Sequence, residues 1–263
     1  MPAELQSTSH GLTMVLTISN PDNRNALGPE IYAAGIEALN VAESSPEVRS
    51  VVITGANTPS GPAFCAGGDL RRMQNNRQAP VEVQKASIEA LHSWIEAIRA
   101  FPKPVIAAVE GAAAGAGFSL ALACDFIVSA QNAVFVMAYS NIALSPDGGG
   151  SWALTRALPR QLVTELLMCG NKLDAPRLQA LGVVYRVVNQ GTALTEALAL
   201  ADTLNARAPN ALASCKELVN EAANNSLPEH LKLERDNFVT NLRHPNAGIG
   251  IEAFLSKTKP NYG

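Results

Sequence analysis

Clusters of lysine and arginine are missing from this chain. Twenty of these residues are scattered against 23 aspartates and glutamates, for a formal net charge of −3 over 263 residues. No electrostatic footprint for nucleic acid or an anionic membrane surface is expected. Cysteine is sparse too: Cys65, Cys124, Cys169 and Cys215 form no CxxC pair and have no histidine at metal-ligand spacing. Such spacing indicates neither a disulfide framework nor a metal site, and fits buried thiols in a reducing cytosol. The N-terminal "MPAELQSTSHGLTMVLTISNP" lacks a basic region and a continuous apolar run before a small-residue cleavage site. It is read as a first strand, not a signal peptide, and the protein as cytoplasmic.

Only one segment has the length of a membrane span. Pro104–Cys124, "PVIAAVEGAAAGAGFSLALAC", carries a single charge, Glu110, across roughly the 20 residues a span needs. Alanine and glycine stand where leucine, isoleucine and phenylalanine would be expected, and the glycines interrupt a helix. A buried strand, a glycine turn and a buried helix account for it better.

Nucleotide and nucleophile signatures fail as well. "GAAAGAGFSLAL" has Gly115 and Gly117, but Leu120 holds the third glycine position of a dinucleotide fingerprint. No Asp or Glu occurs from Phe126 to Pro146, where a ribose-binding acid belongs. There is no phosphate-cradling G-x-x-x-x-G-K-[ST] run, and "GGSWA" (Gly149–Ala153) ends in alanine where a nucleophile elbow needs glycine. No bound cofactor is expected.

What is present alternates. Leu12–Ile18 reads as a strand, and a helix follows from Pro29, with Ile31, Ala34, Ile36, Leu39 and Val41 on its apolar side. Val48–Thr54 reads as a strand, then a long loop contains "FCAGGDL". A helix with Ile88, Leu91, Ile95 and Ile98 at helical spacing leads to the buried strand "PVIAAVEG". "DFIVSA" and "AVFVM" are short strands. Helices are predicted near Ser151–Leu158, Gln161–Cys169 and Ala175–Leu181, then a strand at Val183–Val188 and four helical segments from about Thr192. Strand and helix in alternation predict an α/β core over residues 1–200, with a helical subdomain over 201–263.

Two small-residue turns stand out, "FCAGGDL" (Phe64–Leu70) and "GAAAGAG", each between a strand and a helical region. Main-chain N–H groups from two such turns, converging on one oxygen, would stabilise an enolate. With "PDNRNAL" (Pro21–Leu27), "SPDGGG" and "GIEAFLSKTKPNY", they make the chain resemble the crotonase superfamily, the enoyl-CoA hydratase/isomerase group, over nearly its whole length. That resemblance implies a spiral of ββα units and a helical C-terminal part that builds trimers or dimers of trimers. It also implies an acyl-CoA thioester as substrate, with coenzyme A part of it, and an oxyanion hole placed at the N–H groups of Ala66 and Ala116. Carried over by position, Arg24, Ala26, Ala63, Gly67, Gly68, Asp69, Leu70, Gly115, Gly117 and Tyr139 line the substrate and CoA site. Phe254 and Lys257 match positions that approach CoA from a neighbouring subunit.

The family's hydratases hold water between two glutamates. Those positions fall on Ser119 and Tyr139 here, so both carboxylates are missing, and Asp147 in "SPDGGG" is the remaining acid. An aspartate at this loop position moves the proton in several isomerase branches, and the segment most resembles the branch acting on the ring epoxide of phenylacetyl-CoA. An isomerase with Asp147 as proton shuttle is therefore expected. The alternatives are hydration with a single carboxylate, an aspartate-dependent hydrolase or dehalogenase, and a non-catalytic acyl-CoA binder. Ser151 is expected to cap the following helix, leaving Asp147 free, and Asp69 to cap its own helix. His92 is expected on an amphipathic helix; an aspartate nucleophile with a histidine base would follow the family's aryl-CoA dehalogenases.

Overall fold

A computed structural model describes residues 3–263. The N-terminal stretch forms two strands, not one: β1 (Glu4–His10) and β2 (Thr13–Ser19) make an antiparallel hairpin across Gly11, at φ +56°. β1, "ELQSTSH", is almost wholly polar and exposed, so no apolar alternation marks it. Its pairing with β2, from Glu4 opposite Ser19 to His10 opposite Thr13, holds it at the sheet edge.

After α1 (Pro29–Ser44) the chain moves repeatedly between two sheets. β3 (Ser50–Gly55) enters the larger one and β4 (Ala63–Cys65) the smaller, followed by α2 (Leu70–Asn76) and α3 (Val81–Ala100). β5 (Val105–Val109), β6 (Ala112–Ala114) and α4 (Ala116–Ala123) repeat the unit. β7 (Phe126–Ala130), β8 (Val134–Val136), α5 (Gly150–Ala157) and α6 (Arg160–Cys169) repeat it again. β9 (Lys172–Asp174), α7 (Ala175–Ala180) and β10 (Arg186–Val188) close the turn. The large sheet runs β1-β2-β3-β5-β7-β10 and is parallel from β2 onward; the small one runs β4-β6-β8-β9. This is the expected spiral of ββα units.

Both faces of the large sheet are covered, which is why "PVIAAV" is uninterrupted. Val52, Ile106, Ala108 and Val128 pack against Ala197, Leu200 and Ala201 of α8 (Ala193–Asn205). Val51, Ile53, Val105 and Ala107 point the other way, into the main core with Phe64, Trp94, Phe118 and Phe135. Pro104–Cys124 divides into β5, β6 and α4, and no helix among the described residues is long and apolar enough to cross a membrane.

Several sequence expectations need correction. The face α1 buries is Ile31, Tyr32, Gly35, Leu39 and Ala42, while Val41 is exposed. Gly35 sets this face: a Cβ there would lie 2.2 Å from Nε1 of Trp94, so only glycine lets α1 approach α3 this closely. The boundary drawn at residue 200 falls inside α8, whose Leu200 and Ala201 belong to the core; the change comes after Asn205. Beyond it, α9 (Pro209–Glu221) and α10 (Leu227–Arg243) bury no residue and α11 (Pro245–Leu255) only Ala253. Lys216 ties α9 to the core, 2.8 Å from Asp125 and donating to Ile98 O at 3.1 Å. Cys65 and Cys124 are buried as expected, whereas Cys169 and Cys215 are exposed.

Candidate active site

The two small-residue turns interlock. Pairing of β4 with β6, Ala63 to Ala112 and Cys65 to Ala113, sets them side by side. Gly67 sits at φ +96°, and a Cβ on it would lie 2.7 Å from Ala114 O and 3.5 Å from Ala116 N. In return, a Cβ on Gly117 would lie 2.4 Å from Cys65 O. A side chain at either glycine would drive the turns apart. Ala116 opens α4 and is buried, so its N–H is among those a helix leaves without an internal partner.

In the other turn the resemblance put the donor at Ala66. The Ala66 N–H donates to Arg24 O at 3.1 Å and is thus engaged within the fold. Leu27 N donates to Gly67 O at 2.7 Å, Asp69 N to Leu27 O at 3.3 Å, and Gly67 N to the Cys65 sulfur at 3.4 Å. Between them the Gly68 N–H has no acceptor among the described residues. In a run of small residues the sequence carries no mark of which N–H faces inward. Main-chain pairing with residues 24–27 decides it.

Asp147 lies half-buried at the mouth of this arrangement. Its Oδ1 accepts from the Tyr139 hydroxyl at 2.5 Å, and its main-chain oxygen accepts from Ser119 Oγ at 3.0 Å and Gly150 N at 3.3 Å. No donor among the described residues takes Oδ2. Burial first, and then the Asp147 carboxylate, push the Tyr139 phenol far above its usual range, so it remains a neutral donor. The Tyr139 ring also lies over Gly115, 3.4 Å from where a Cβ would stand. Ser119 and Tyr139 thus both hold the Asp147 loop.

The glycines after Asp147 have separate tasks. Gly148 and Gly149 are left-handed, at φ +58° and +75°, and turn the chain into α5. A Cβ on Gly148 would stand 3.1 Å from Ser119 Cβ, and one on Gly150 2.6 Å from Ser119 Oγ. The loop's main chain therefore occupies the space above Ser119, which is 2% exposed. The cap of α5 is Gly149, without a side-chain hydrogen bond, and Ser151 lies within the helix; the capping expected of Ser151 does not occur. Asp69, as expected, caps α2 by accepting from Arg71 N at 2.9 Å and Arg72 N at 3.1 Å.

Other candidates distribute unevenly. Ala26 and Ala63 are buried behind the first turn, with their carbonyls taken by Asn20 and Asn25, while Arg24 and Leu70 are exposed at its rim. His92 faces Glu89 at 3.9 Å, and it is Leu91 and Ile95 of the same helix that meet Gly148 and Gly149. Phe254 and Lys257 stand exposed on and just past α11, with no polar bond to the two turns or Asp147 among the described residues. Sequence reasoning missed Tyr32. It is buried on α1, and burial, then Cys65 and Asp147, hold its hydroxyl protonated far above the ordinary range. The Cys65 thiol beside it is pushed up to about 12 by burial, so it stays a neutral packing group.

The chain is similar to known proteins over nearly its whole length. A 1,2-epoxyphenylacetyl-CoA isomerase of Escherichia coli K12 is 35% identical over 95% of this chain and 94% of its own. A probable enoyl-CoA hydratase of Mycobacterium tuberculosis is 32% identical over 94% and 93%. The crystal structure of an enoyl-CoA hydratase from Polaromonas sp. JS666 superposes with a TM-score of 0.96 at 65% identity, covering 99% of this chain and 100% of that one. The sequence pattern described as enoyl-CoA hydratase/isomerase matches residues 8–263, and with it the paired turns and the spiral that carries them place the chain in the enoyl-CoA hydratase/isomerase family.

Proposed function

We propose that this protein is an acyl-CoA isomerase that shifts a proton along its substrate through a thioester enolate. The observation carrying the proposal is that one carboxylate, Asp147, serves the site, while main chain fills the space over Ser119 where a second would be needed to hold water. Asp147 Oδ2 takes a proton from carbon next to the thioester, and the bond's electron pair moves onto the carbonyl oxygen. The N–H groups of Gly68 and Ala116 receive that charge. Protonated Asp147, which exchanges its proton with solvent while the enolate lasts, returns a proton two carbons away, on the same face, as the enolate collapses. Atoms balance without water, and only the proton and a double bond move.

Arg24, exposed beside the first turn, is suited to the phosphates of coenzyme A. The exposed apolar residues of α9–α11, among them Val219, Phe238, Leu242 and Leu255, fit a trimer, in which Phe254 and Lys257 would reach a neighbour's CoA. Light scattering is expected to give three or six copies; a monomer at micromolar concentration would count against this part.

The isomerase reading is tested by single turnover of a β,γ-enoyl-CoA in D₂O and H₂¹⁸O. Deuterium in the carbon skeleton without ¹⁸O is the expected result. Label in a product hydroxyl would mean hydration instead, and label in Asp147 itself a covalent acyl-enzyme.

A further inference from the structure

The loop before α1 is held in an unusual conformation. Arg24 and Asn25 are both left-handed, at φ +53° and +59°, in a chain with only four such non-glycine residues among those described. Arginine has no intrinsic preference for this region, and asparagine only a modest one, so the surroundings must impose it. Those surroundings centre on the Asn25 side chain, which is fully buried. Its amide donates to Ala56 O at 2.8 Å and to Ala63 O at 2.7 Å, and its Oδ1 accepts from Asn20 N at 3.2 Å. Asn20 in turn donates to Ala26 O at 2.9 Å and accepts from Asn23 Nδ2 at 3.2 Å.

The main chain so fixed engages the neighbouring turn at three consecutive points. Ala66 N–H donates to Arg24 O, Leu27 N–H to Gly67 O, and Asp69 N–H to Leu27 O. Ala63, one of the carbonyls that Asn25 grips, begins β4, the strand leading into the turn. The N–H groups of Ala66, Gly67 and Asp69 are thereby engaged, and the Gly68 N–H between them has no acceptor among the described residues. Nothing in this network touches the Asp147 loop.

From this we infer that Asn25 is a positioning residue: it fixes the peptide that presents the Gly68 N–H, and so sets how strongly the thioester carbonyl is polarised. The inference rests on the proposed enolate site. A site held this way is preorganised, so its donors need not reorient as charge develops. Losing the amide frees Ala63 O and lets residues 24–25 relax, and the Gly68 N–H moves out of line while the pocket stays open to the substrate.

The test uses the full-length protein with phenylacetyl-CoA carrying ¹³C at the thioester carbonyl. Isotope-edited infrared spectra of the bound ester report polarisation, and solvent deuterium exchange at its α-carbon gives kcat and KM per titrated site. In Asn25→Gly, which accepts the left-handed backbone but lacks the amide, the bound carbonyl band should move most of the way back toward free ester. Exchange kcat should fall by about 10²-fold, as for loss of one oxyanion donor, with KM within about threefold. Asn25→Asp keeps the acceptor and loses both donors; it should change band and kcat in the same direction, and it serves if the glycine variant folds poorly. Fewer titratable sites with unchanged band and unchanged kcat per site would make Asn25 merely structural and overturn the inference. If the wild-type protein binds the ester without displacing its band, the two-donor hole itself falls, and Asn25's role with it.

Discussion

Asp147→Asn is expected to lower isomerisation turnover by roughly 10³-fold, within the range a positioned proton-transfer group supplies, or about 4 kcal/mol in barrier. The substitution is nearly isosteric. The Tyr139 hydroxyl can still donate to Oδ1 of the amide, and the bonds from Ser119 and Gly150 reach the main-chain oxygen, which is unchanged. Loop geometry and KM should therefore hold while kcat and α-carbon deuterium exchange collapse together. Steady-state kinetics with a β,γ-enoyl-CoA, alongside the exchange rate, provide the check. A variant that turns over at the wild-type rate would remove Asp147 from the mechanism. Loss of turnover with exchange intact would leave it only the second proton transfer.

The second large effect is expected at the other end of the reacting group. Ala116 is the first residue of α4, where proline is best tolerated because its missing N–H leaves no helical bond broken. Ala116→Pro thus deletes one proposed oxyanion donor with little claim on the helix. Exchange and isomerisation rates are expected to fall by about 10²- to 10³-fold. Ala116 is 3% exposed, so the ring's added bulk costs stability as well, about 1–3 kcal/mol. Ala116→Gly separates the two consequences. It keeps the N–H, and its rate should stay within a few-fold of wild type. Rates measured per bound ester, with circular dichroism to confirm the fold, decide the matter; proline at the wild-type rate would exclude Ala116 as a donor.

Much of this arrangement was legible before any coordinates. The uninterrupted "PVIAAV" and the β-branched "SVVIT" announce strands buried on both faces, and α8 and the main core supply those faces. Asp147 was legible because no other acid lies between Phe126 and the start of α5. The small sheet was legible only at "AVFVM", which holds β8. Its strands, "AFC", "AAA", "VFV" and "KLD", are three residues each, too short for a period of two to appear. β1 escaped for the opposite reason: it is long enough but polar throughout, and main-chain pairing alone recruits it. The engagement of the Ala66 N–H by Arg24 O escaped for the same reason, since hydrogen bonds between distant peptides leave no trace in side-chain identity. Tyr32 escaped because a single aromatic on an amphipathic helix reads as core, and only the fold brings it near Cys65 and Asp147.

The seating of Gly148 and Gly150 on Ser119 also bears on how such an enzyme changes its chemistry over evolutionary time. A glutamate introduced at position 119 would meet the loop's own peptides before it met a water molecule, because the space is already occupied from above. A second carboxylate at this helix position therefore calls for a remodelled loop as well as the replacement itself. In a protein built this way, the reaction catalysed is inherited as a block of residues and not one position at a time.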